Sequence, residues 1–351
     1  MTPSKQPSEP GVAAAGDGTG PGQGGPASAR SKAPVLESLR RKLPGLSRYG
    51  MVAVLIVLVI AAQILYSGFL QIGNIWNLLS QNAPIGLVAV GMTFVIIGGG
   101  FDLSVSSLFA IGAVVSAGLA GHMSVPLAVL LAVLAGALGG LINGVLITSM
   151  RLNSFVVTLA TTSVFGGVAY VVSNSEPIVP TANSYAYLGT KTFGGVPLSA
   201  IVLAVVFLIG GVVLSKTVYG RSVHAVGGNR EAARLAGLRV DVIRASTYVL
   251  TGVCAALAGV FLASQTTTGS ADMGATVALQ SIAMVIIGGT SLLGGEGAMW
   301  RTLIGMLILA TINNLLDSLA VSSAVQLLAQ GLVILLAVSF GVLTRRVRSA
   351  S

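Results

Sequence analysis

The sequence predicts an all-α fold, a polytopic bundle of transmembrane helices. Hydrophobic residues make up 54% of the 351-residue chain and charged residues 8%, whereas about a quarter of the residues in a soluble domain are charged. The mean hydropathy is +0.91. Apolar stretches recur along most of the chain, many of them close to the about 20 residues that a helix needs to cross a bilayer. These observations exclude a soluble globule, because too little polar surface is available to face water.

Ten apolar segments are predicted to span the membrane. The first covers residues 49–70 and starts too far from the N-terminus to be the core of a signal peptide, so we expect an uncleaved anchor. The others lie, in order, at 82–98, 104–121, 124–149, 155–174, 197–215, 245–265, 277–289, 299–318 and 322–343. An even number of spans returns the C-terminus to the side of the N-terminus.

Three parts of the chain are predicted from this pattern. Residues 1–48 combine a disordered Gly/Pro-rich tail, which has too little apolar surface to fold, with a basic segment next to the membrane. Residues 49–343 form the transmembrane domain, and residues 344–351 form a basic C-terminus. Both ends are expected in the cytoplasm.

The distribution of basic residues sets this orientation. Arg151, the loop at 216–244 and the basic C-terminus all fall on one side of the predicted bundle, while Lys191 lies on the other. Lys and Arg accumulate in cytoplasmic loops, so the loop at 216–244 is cytoplasmic. The net charge of +9 is therefore explained by membrane-flanking clusters, and no nucleic-acid partner is expected.

Two short apolar runs end in the same way. Residues 94–99 read FVIIGG and residues 284–289 read MVIIGG, and each leads into a turn rich in Gly and Ser. The pattern predicts a parallel internal repeat with short, broken helices, although chance similarity in Gly- and Ile-rich sequence is the alternative. Paired interrupted spans indicate a translocation site in transporters.

Uncharged polar side chains predict a path for a neutral polar solute. Asn and Gln both donate and accept hydrogen bonds, which suits hydroxyl groups; the alternative for each is a bond between helices. Asp102 is an acid at membrane depth, or else a cap of the helix that starts beside it. The possible path residues are Asp102, Ser104, Asn143, Asn153, Gln280, Asn313 and Asn314.

The motifs of common enzymes are missing from the sequence. It contains no GxxxxGK[ST] segment for nucleotide phosphates, no HExxH segment and no Ser/His/Asp arrangement. Its one cysteine, Cys254, lies in an apolar segment, and no His or Cys cluster resembles a metal site. We expect neither catalytic residues nor a metal or other cofactor.

The loop at 216–244 contains a predicted surface helix. A turn at Gly227, Gly228 and Asn229 precedes the helix, Asn229 caps it, and Gly237 ends it. This order predicts a docking surface for a soluble ATPase; the alternative is a solvated loop. The predicted coupling residues are Gly227, Gly228, Asn229, Arg230, Glu231, Ala232, Ala233, Leu235 and Gly237.

Four stretches resemble one family, the ribose-type permeases of carbohydrate ABC importers, within the branched-chain amino acid and sugar permease superfamily. They are GRSVHAVGGNREAARLAGLRVD, GGGFDLSVSSLFAIGAVVSA, NGVLITSMRLNSFVVTLAT and VIIGGTSLLGGEG. The resemblance covers roughly residues 50–343. One departure is Phe101, where the family commonly has Ile before the Asp.

The resemblance implies a membrane permease subunit for a ribose- or xylose-like monosaccharide, and it places the family's coupling helix on the residues from Asn229 to Gly237. It also implies its partners: two ABC ATPase subunits in the cytoplasm, an extracytoplasmic sugar-binding protein, and a second permease copy or homologue in the bilayer. Alternatives are a related permease for a branched-chain amino acid, a nucleoside or an autoinducer sugar, an ion-coupled secondary carrier, and a structural anchor.

Overall fold

The computed structural model describes residues 34–332 and 335, with side-chain surroundings given from residue 50 onward. The Gly/Pro-rich part of the predicted tail and the predicted basic C-terminus at 344–351 lie outside these residues. Residues 34–48 form the start of the first helix.

The described chain is almost entirely helical, as predicted. In the part of the chain that the structure describes, the only paired strands are β1 (Thr192–Phe193) and β2 (Val196–Pro197), which form a small antiparallel hairpin. The helices are α1 (Pro34–Leu65), α2 (Ile72–Ile97), α3 (Val105–Leu119), α4 (Val125–Ser149), α5 (Ser154–Val172), α6 (Tyr187–Thr190), α7 (Leu198–Lys216), α8 (Val218–Gly228), α9 (Arg230–Leu235), α10 (Val240–Thr266), α11 (Val277–Ile287) and α12 (Met299–Ser318).

Most of the predicted spans correspond to these helices. Within the described residues, six helices are long and apolar enough to cross a membrane, namely α2, α4, α5, α7, α10 and α12. Three shorter apolar helices are residues 50–65 of α1, α3 and α11. Residues 323–332 are also helical, where the predicted last span begins; most of the remainder of that span lies outside the described residues. The all-α polytopic fold is confirmed.

Two predicted span boundaries are wrong at their N-terminal ends. Helix α2 begins at Ile72, not residue 82, and α10 begins at Val240, not residue 245. The extra turns contain polar side chains such as Asn74 and Asp241, which lower hydropathy without interrupting the helix. Hydropathy locates only the apolar part of a helix. These two helices begin before their apolar parts, so the predicted starts were too late.

Helix α10 lies at the centre of the bundle. Glycines let α4 pack closely against it. Gly136, Gly140 and Gly144 fall on one face of α4, and a methyl group on any of them would collide with the backbone of α10. In return, Gly252 of α10 faces the carbonyl of Gly136. Small residues at such spacing allow transmembrane helices to pack tightly.

The outer helices present apolar side chains outward. In α4, α5 and α7 only a minority of residues are buried, and the exposed ones include Leu138, Val156 and Leu208. A helix with an exposed apolar face is stable in the hydrocarbon of a bilayer, where that face meets lipid. Helices α2 and α3 are buried over most of their length, so α5 and α7 lie outside them.

Candidate coupling site and polar clusters

The ends of α2 and α11, where the sequence has its two similar runs, share one pattern of backbone hydrogen bonds. The amides of Gly98, Gly99 and Gly100 donate to the carbonyls of Phe94, Ile96 and Val95 at 2.9–3.0 Å. The amides of Gly288, Gly289 and Thr290 donate to Met284, Ile286 and Val285 at 3.1, 2.8 and 3.2 Å, in the same order. Gly99 and Gly289 have φ of +76° and +88°, where glycine avoids a steric cost.

Each of these two turns also receives an arginine. Arg230 Nη2 donates to the Gly99 carbonyl at 2.7 Å, and Arg301 Nη1 donates to the Gly289 carbonyl at 3.4 Å. The carbonyl in each case belongs to the glycine with positive φ. Arg230 is the first residue of α9, so the first turn is joined directly to the predicted coupling helix.

The predicted coupling helix is α9, and its cap lies where the sequence places it. Asn229 is extended, with φ −155° and ψ 106°, and its side chain accepts from the Ala232 amide at 3.0 Å. Gly237 follows the helix with φ +83°. An Asn cap of this kind satisfies an amide that the helix itself leaves without an acceptor.

The expected turn over Gly227, Gly228 and Asn229 is wrong in its geometry. Gly227 and Gly228 are the last two residues of α8, and neither has positive φ. The chain changes direction at Asn229 alone. Gly227 is instead required by close approach, because a methyl group there would collide with the Ile97 carbonyl oxygen at the end of α2.

Three chain segments meet at this point, which we call the glycine junction: Gly99, Gly227, Gly228, Gly294 and Gly295. The Gly295 amide donates to the Ile97 carbonyl at 2.8 Å, so the second turn is bonded to the first. A methyl group on Gly294 would lie 2.8 Å from both the Gly227 oxygen and Gly99 Cα. The end of α8 therefore contacts both repeat turns by backbone alone, without flexible side chains between them.

The outer surface of α9 is exposed. Leu235 is 83% exposed, and Glu231 and Arg234 form an ion pair at 3.7 Å in which both side chains are largely exposed. Ala233 is buried against Val226 and holds α9 to its own loop. Leu235 therefore remains exposed on a short helix that is anchored to the rest of its loop.

Asp102, Ser104 and Asn143 form a buried polar cluster next to the C-terminal end of α2. Asp102 Oδ1 accepts from the Ser104 amide at 2.9 Å and from Ser104 Oγ at 2.6 Å, and Asn143 Nδ2 donates to Ser104 Oγ at 2.6 Å. Asp102 lies between α2 and α3, and burial raises the pKa of its carboxyl to about 6, against the opposing effect of the Ser104 bonds. Within the described part of the chain, Asp102 Oδ2 and Asn143 Oδ1 have no partner.

The remaining predicted path residues lie elsewhere. Gln280 donates to Gln330 Oε1 at 2.9 Å, and Gln330 donates to Asn313 Oδ1 at 3.0 Å. Asn314 and Asn74 exchange hydrogen bonds at 2.9 and 3.1 Å. These groups lie toward the N-terminal end of α11 and the C-terminal end of α12.

Asn153 caps the N-terminus of α5, where its side chain accepts from the Phe155 amide at 2.9 Å. The structure thus brings Asp102, Ser104 and Asn143 together, links Gln280 and Asn313 through Gln330, and separates these groups from each other.

Two features of the site were missed by the sequence reasoning. The glycines of the second turn, Gly294 and Gly295, were not included, although they belong to a repeat that the sequence reveals. Arg244, which is buried at the start of α10, was read only as one of the basic residues of its loop. Nothing in its sequence neighbourhood distinguishes it from the exposed arginines beside it.

Comparison with known proteins identifies the family. The model of the family described as "Branched-chain amino acid transport system / permease component" matches residues 74–338. The ribose import permease protein RbsC of Bacillus subtilis (strain 168) is 44% identical over 287 residues, which are 81% of this chain and 89% of that protein. No solved structure matches the chain.

Two further relatives are similar over most of their length. The ribose import permease protein RbsC of Escherichia coli (strain K12) is 37% identical over 289 residues, 81% of this chain and 90% of that protein. The L-arabinose ABC transporter permease protein AraH of Azospirillum brasilense is 39% identical over 307 residues, 87% of this chain and 90% of that protein. The resemblance read from the sequence is confirmed: the chain belongs to this permease-component family and is a multi-pass protein of the bacterial plasma membrane.

Proposed function

We propose that the chain is the membrane-spanning subunit of an ATP-binding-cassette importer for a monosaccharide of the ribose or xylose kind. The observation that carries this proposal is the 44% identity to a ribose import permease over 89% of that protein's length. The arabinose permease among the relatives supports a pentose as the class of solute.

The energy for transport comes from a separate ATPase in this proposal. Two ATPase subunits dock on α9 from the cytoplasm, and an extracytoplasmic sugar-binding protein delivers the solute to the opposite face of a permease dimer. The dimer consists of two copies of this chain or of this chain and a homologue. The exposed Leu235 and the ordered cap at Asn229 support α9 as the docking surface.

The glycine junction explains how a movement of α9 reaches the membrane. Its backbone contacts leave no flexible side chain between α8 and the two repeat turns. A displacement of α8 and α9 therefore shifts the end of α2 together with the segment between α11 and α12, which rocks the spans between inward- and outward-open states. The Arg230 bond to Gly99 adds a second link from α9 to the first turn.

The polar clusters mark the two ends of the proposed path. Asp102, Ser104 and Asn143 lie at its cytoplasmic end, with Asn153 at the start of α5, whereas Gln280, Asn313 and Asn314 lie at its outer end. The proposal also divides the chain as the sequence suggests, into cytoplasmic residues 1–48, a permease domain at 49–343 and a cytoplasmic C-terminus at 344–351.

A second candidate solute is a branched-chain amino acid, which the description of the family favours. Proteoliposomes that contain this chain, its ATPase and its binding protein distinguish the two. We expect ATP-dependent uptake of labelled ribose, xylose or arabinose and no uptake of labelled leucine. Uptake of leucine alone would refute the sugar assignment, and pH-driven uptake without ATP would refute the importer assignment.

The same assay tests the coupling residues. Glu231→Arg places a positive charge in the first turn of α9, where the helix dipole disfavours it. Gly237→Arg forces a side chain into a left-handed conformation at a cost of roughly 1–2 kcal/mol. We expect both variants to insert into the membrane normally and to lose ATP-driven uptake. Full uptake by both would contradict docking on α9.

A further inference from the structure

A cavity of about 410 Å³ opens at the cytoplasmic side between α5, α9 and α10. It lies beside the turn that follows α2, and Gly99 of the glycine junction is part of its lining. Its polar lining comes from two arginines and from the first residues of α5. The residues that matter for its chemistry are Leu152, Asn153, Ser154, Phe155, Arg230 and Arg244.

Arg244 is the decisive residue of this cavity. It is only 9% exposed, and its side-chain neighbour is the neutral hydroxyl of Tyr248. Among the residues that the structure describes, no carboxylate forms an ion pair with its guanidinium. The nearby carboxylate of Asp241 is instead paired with Arg234 at 3.8 Å. A buried charge without a charged partner is costly, so an anion in the cavity would stabilise this arginine.

The other polar groups of the cavity are also suited to an anion. Asn153 Oδ1 accepts from the Phe155 amide, which leaves its Nδ2 group as a donor toward a ligand. The N-terminus of α5, a helix of 19 residues, carries a partial positive charge that attracts anions. No Asp or Glu lines the cavity. Arg230 Nη2 is already bonded to the Gly99 carbonyl. Its remaining donors, the fork of Arg244 and the amide of Asn153 together match the several oxygens of a phosphate better than the two of a carboxylate.

The apolar rim of the cavity indicates where the phosphate comes from. Leu152 and Phe155 line the rim and are 45% and 52% exposed. From Phe155 the exposed apolar face continues along α5 through Val156 and Leu159. A phosphate in the cavity would therefore have acyl chains laid along α5, as in a phospholipid of the cytoplasmic leaflet. An acidic side chain of a soluble protein could fill the cavity, but it would not cover this apolar face.

We propose that this cavity binds the phosphate of an anionic phospholipid through Arg244, Arg230 and the N-terminus of α5. The site tethers the loop that carries α9 to the membrane surface. It does not depend on which solute the permease carries or on how the ATPase docks.

The test measures lipid binding to the full-length chain in a neutral detergent. Fluorescent phosphatidylglycerol is titrated against phosphatidylcholine with the same acyl chains, and inorganic phosphate is added separately as a competitor. We expect the chain to prefer phosphatidylglycerol, and Arg244→Gln to weaken its binding by about tenfold or more, because a charge-assisted hydrogen bond is lost. Arg230→Gln, which changes an exposed side chain, should weaken it several-fold.

Arg239→Gln is the matched control. Arg239 lies five residues before Arg244, is exposed and does not line the cavity, so its removal changes the net charge equally. We expect phosphatidylglycerol binding to remain within about twofold of wild type. Arg244→Lys should bind phosphatidylglycerol with intermediate strength, because it keeps the charge but loses the planar guanidinium. This variant replaces Arg244→Gln in the test if Arg244→Gln fails to fold.

Several outcomes would overturn the proposal. Equal binding of the two lipids, or equal loss in Arg239→Gln and Arg230→Gln, would mean that only general charge attraction acts. Binding of inorganic phosphate without a preference for phosphatidylglycerol would make the site one for free phosphate. A cross-link from this cavity to an acidic residue of the ATPase, with no lipid preference, would assign it to the protein partner.

Discussion

At the scale of single residues, Asp102 illustrates how one carboxyl group is held between opposing effects. Burial disfavours its charge, while the amide and hydroxyl of Ser104 stabilise it. Burial is the larger effect, and the pKa of Asp102 rises to about 6. The sequence alone offered two interpretations, a functional acid or a helix cap. In the structure the Asp102 carboxylate accepts hydrogen bonds from Ser104, the residue that precedes α3. Among the described residues it forms no ion pair with a cationic side chain.

The raised pKa gives Asp102 a measurable effect on stability. An Asp in an unfolded chain titrates near about 3.9, so between about pH 4 and 6 the folded state binds more protons than the unfolded state. The free energy of unfolding then falls as pH rises through this window, by up to about 3 kcal/mol. We expect Asp102→Asn, which keeps the acceptor for Ser104, to gain stability relative to wild type as pH increases from 4.5 to 7.5.

Thermal unfolding of the detergent-solubilised chain at a series of pH values measures this difference. Asp272→Asn is the control, since Asp272 is an exposed loop residue and should follow the wild-type profile. A constant difference in Tm between Asp102→Asn and wild type across the pH range would mean that the carboxyl is not titrating in the folded protein.

At the scale of elements, α9 was predictable and the glycine junction was not. The cap at Asn229 and the stop at Gly237 follow from local side-chain chemistry, which the sequence displays directly. The role of Gly227 depends on the Ile97 carbonyl and on Gly295, which are far away along the chain. A glycine required by close approach looks the same in a sequence as one required by a turn, and the turn was the wrong interpretation.

The junction predicts a sharp difference between two neighbouring glycines. A methyl group in Gly227→Ala would collide with the Ile97 carbonyl and lie 2.7 Å from the Gly295 amide, whereas in Gly228→Ala its nearest neighbour is Gly295 Cα at 3.9 Å. Overpacking of this kind costs about 1–3 kcal/mol. We expect Gly227→Ala to lower Tm and to reduce ATP-driven uptake several-fold, and Gly228→Ala to leave both close to wild type.

Because both substitutions raise helix propensity equally at the end of α8, their difference isolates the contact with the two turns. Measurement of Tm in detergent and of uptake in proteoliposomes should separate them. Equal behaviour of the two variants would mean that the close approach at Gly227 is not used in transport.

At the scale of the whole molecule, hydropathy and basic loops predicted the architecture well. Apolar length located the spans, and the loop at 216–244 with Arg151 predicts which side of the bundle is cytoplasmic. What these signals could not provide is which polar groups meet in space. Asn143 and Asn313 look alike as amides within apolar segments, yet Asn143 donates to Ser104 whereas Asn313 accepts from Gln330.

The central claim is that a separate ATPase docks on α9 from the cytoplasm. The sequence has a single cysteine, Cys254, which is buried, so Leu235→Cys provides the one accessible thiol among the described residues. Val179→Cys, which is 69% exposed before mutation, places a thiol in the loop on the opposite side. A thiol-reactive cross-linker applied to the assembled importer should join Leu235→Cys to the ATPase subunit and leave Val179→Cys unlinked to it. Cross-linking from Val179→Cys, or none from Leu235→Cys, would contradict the account.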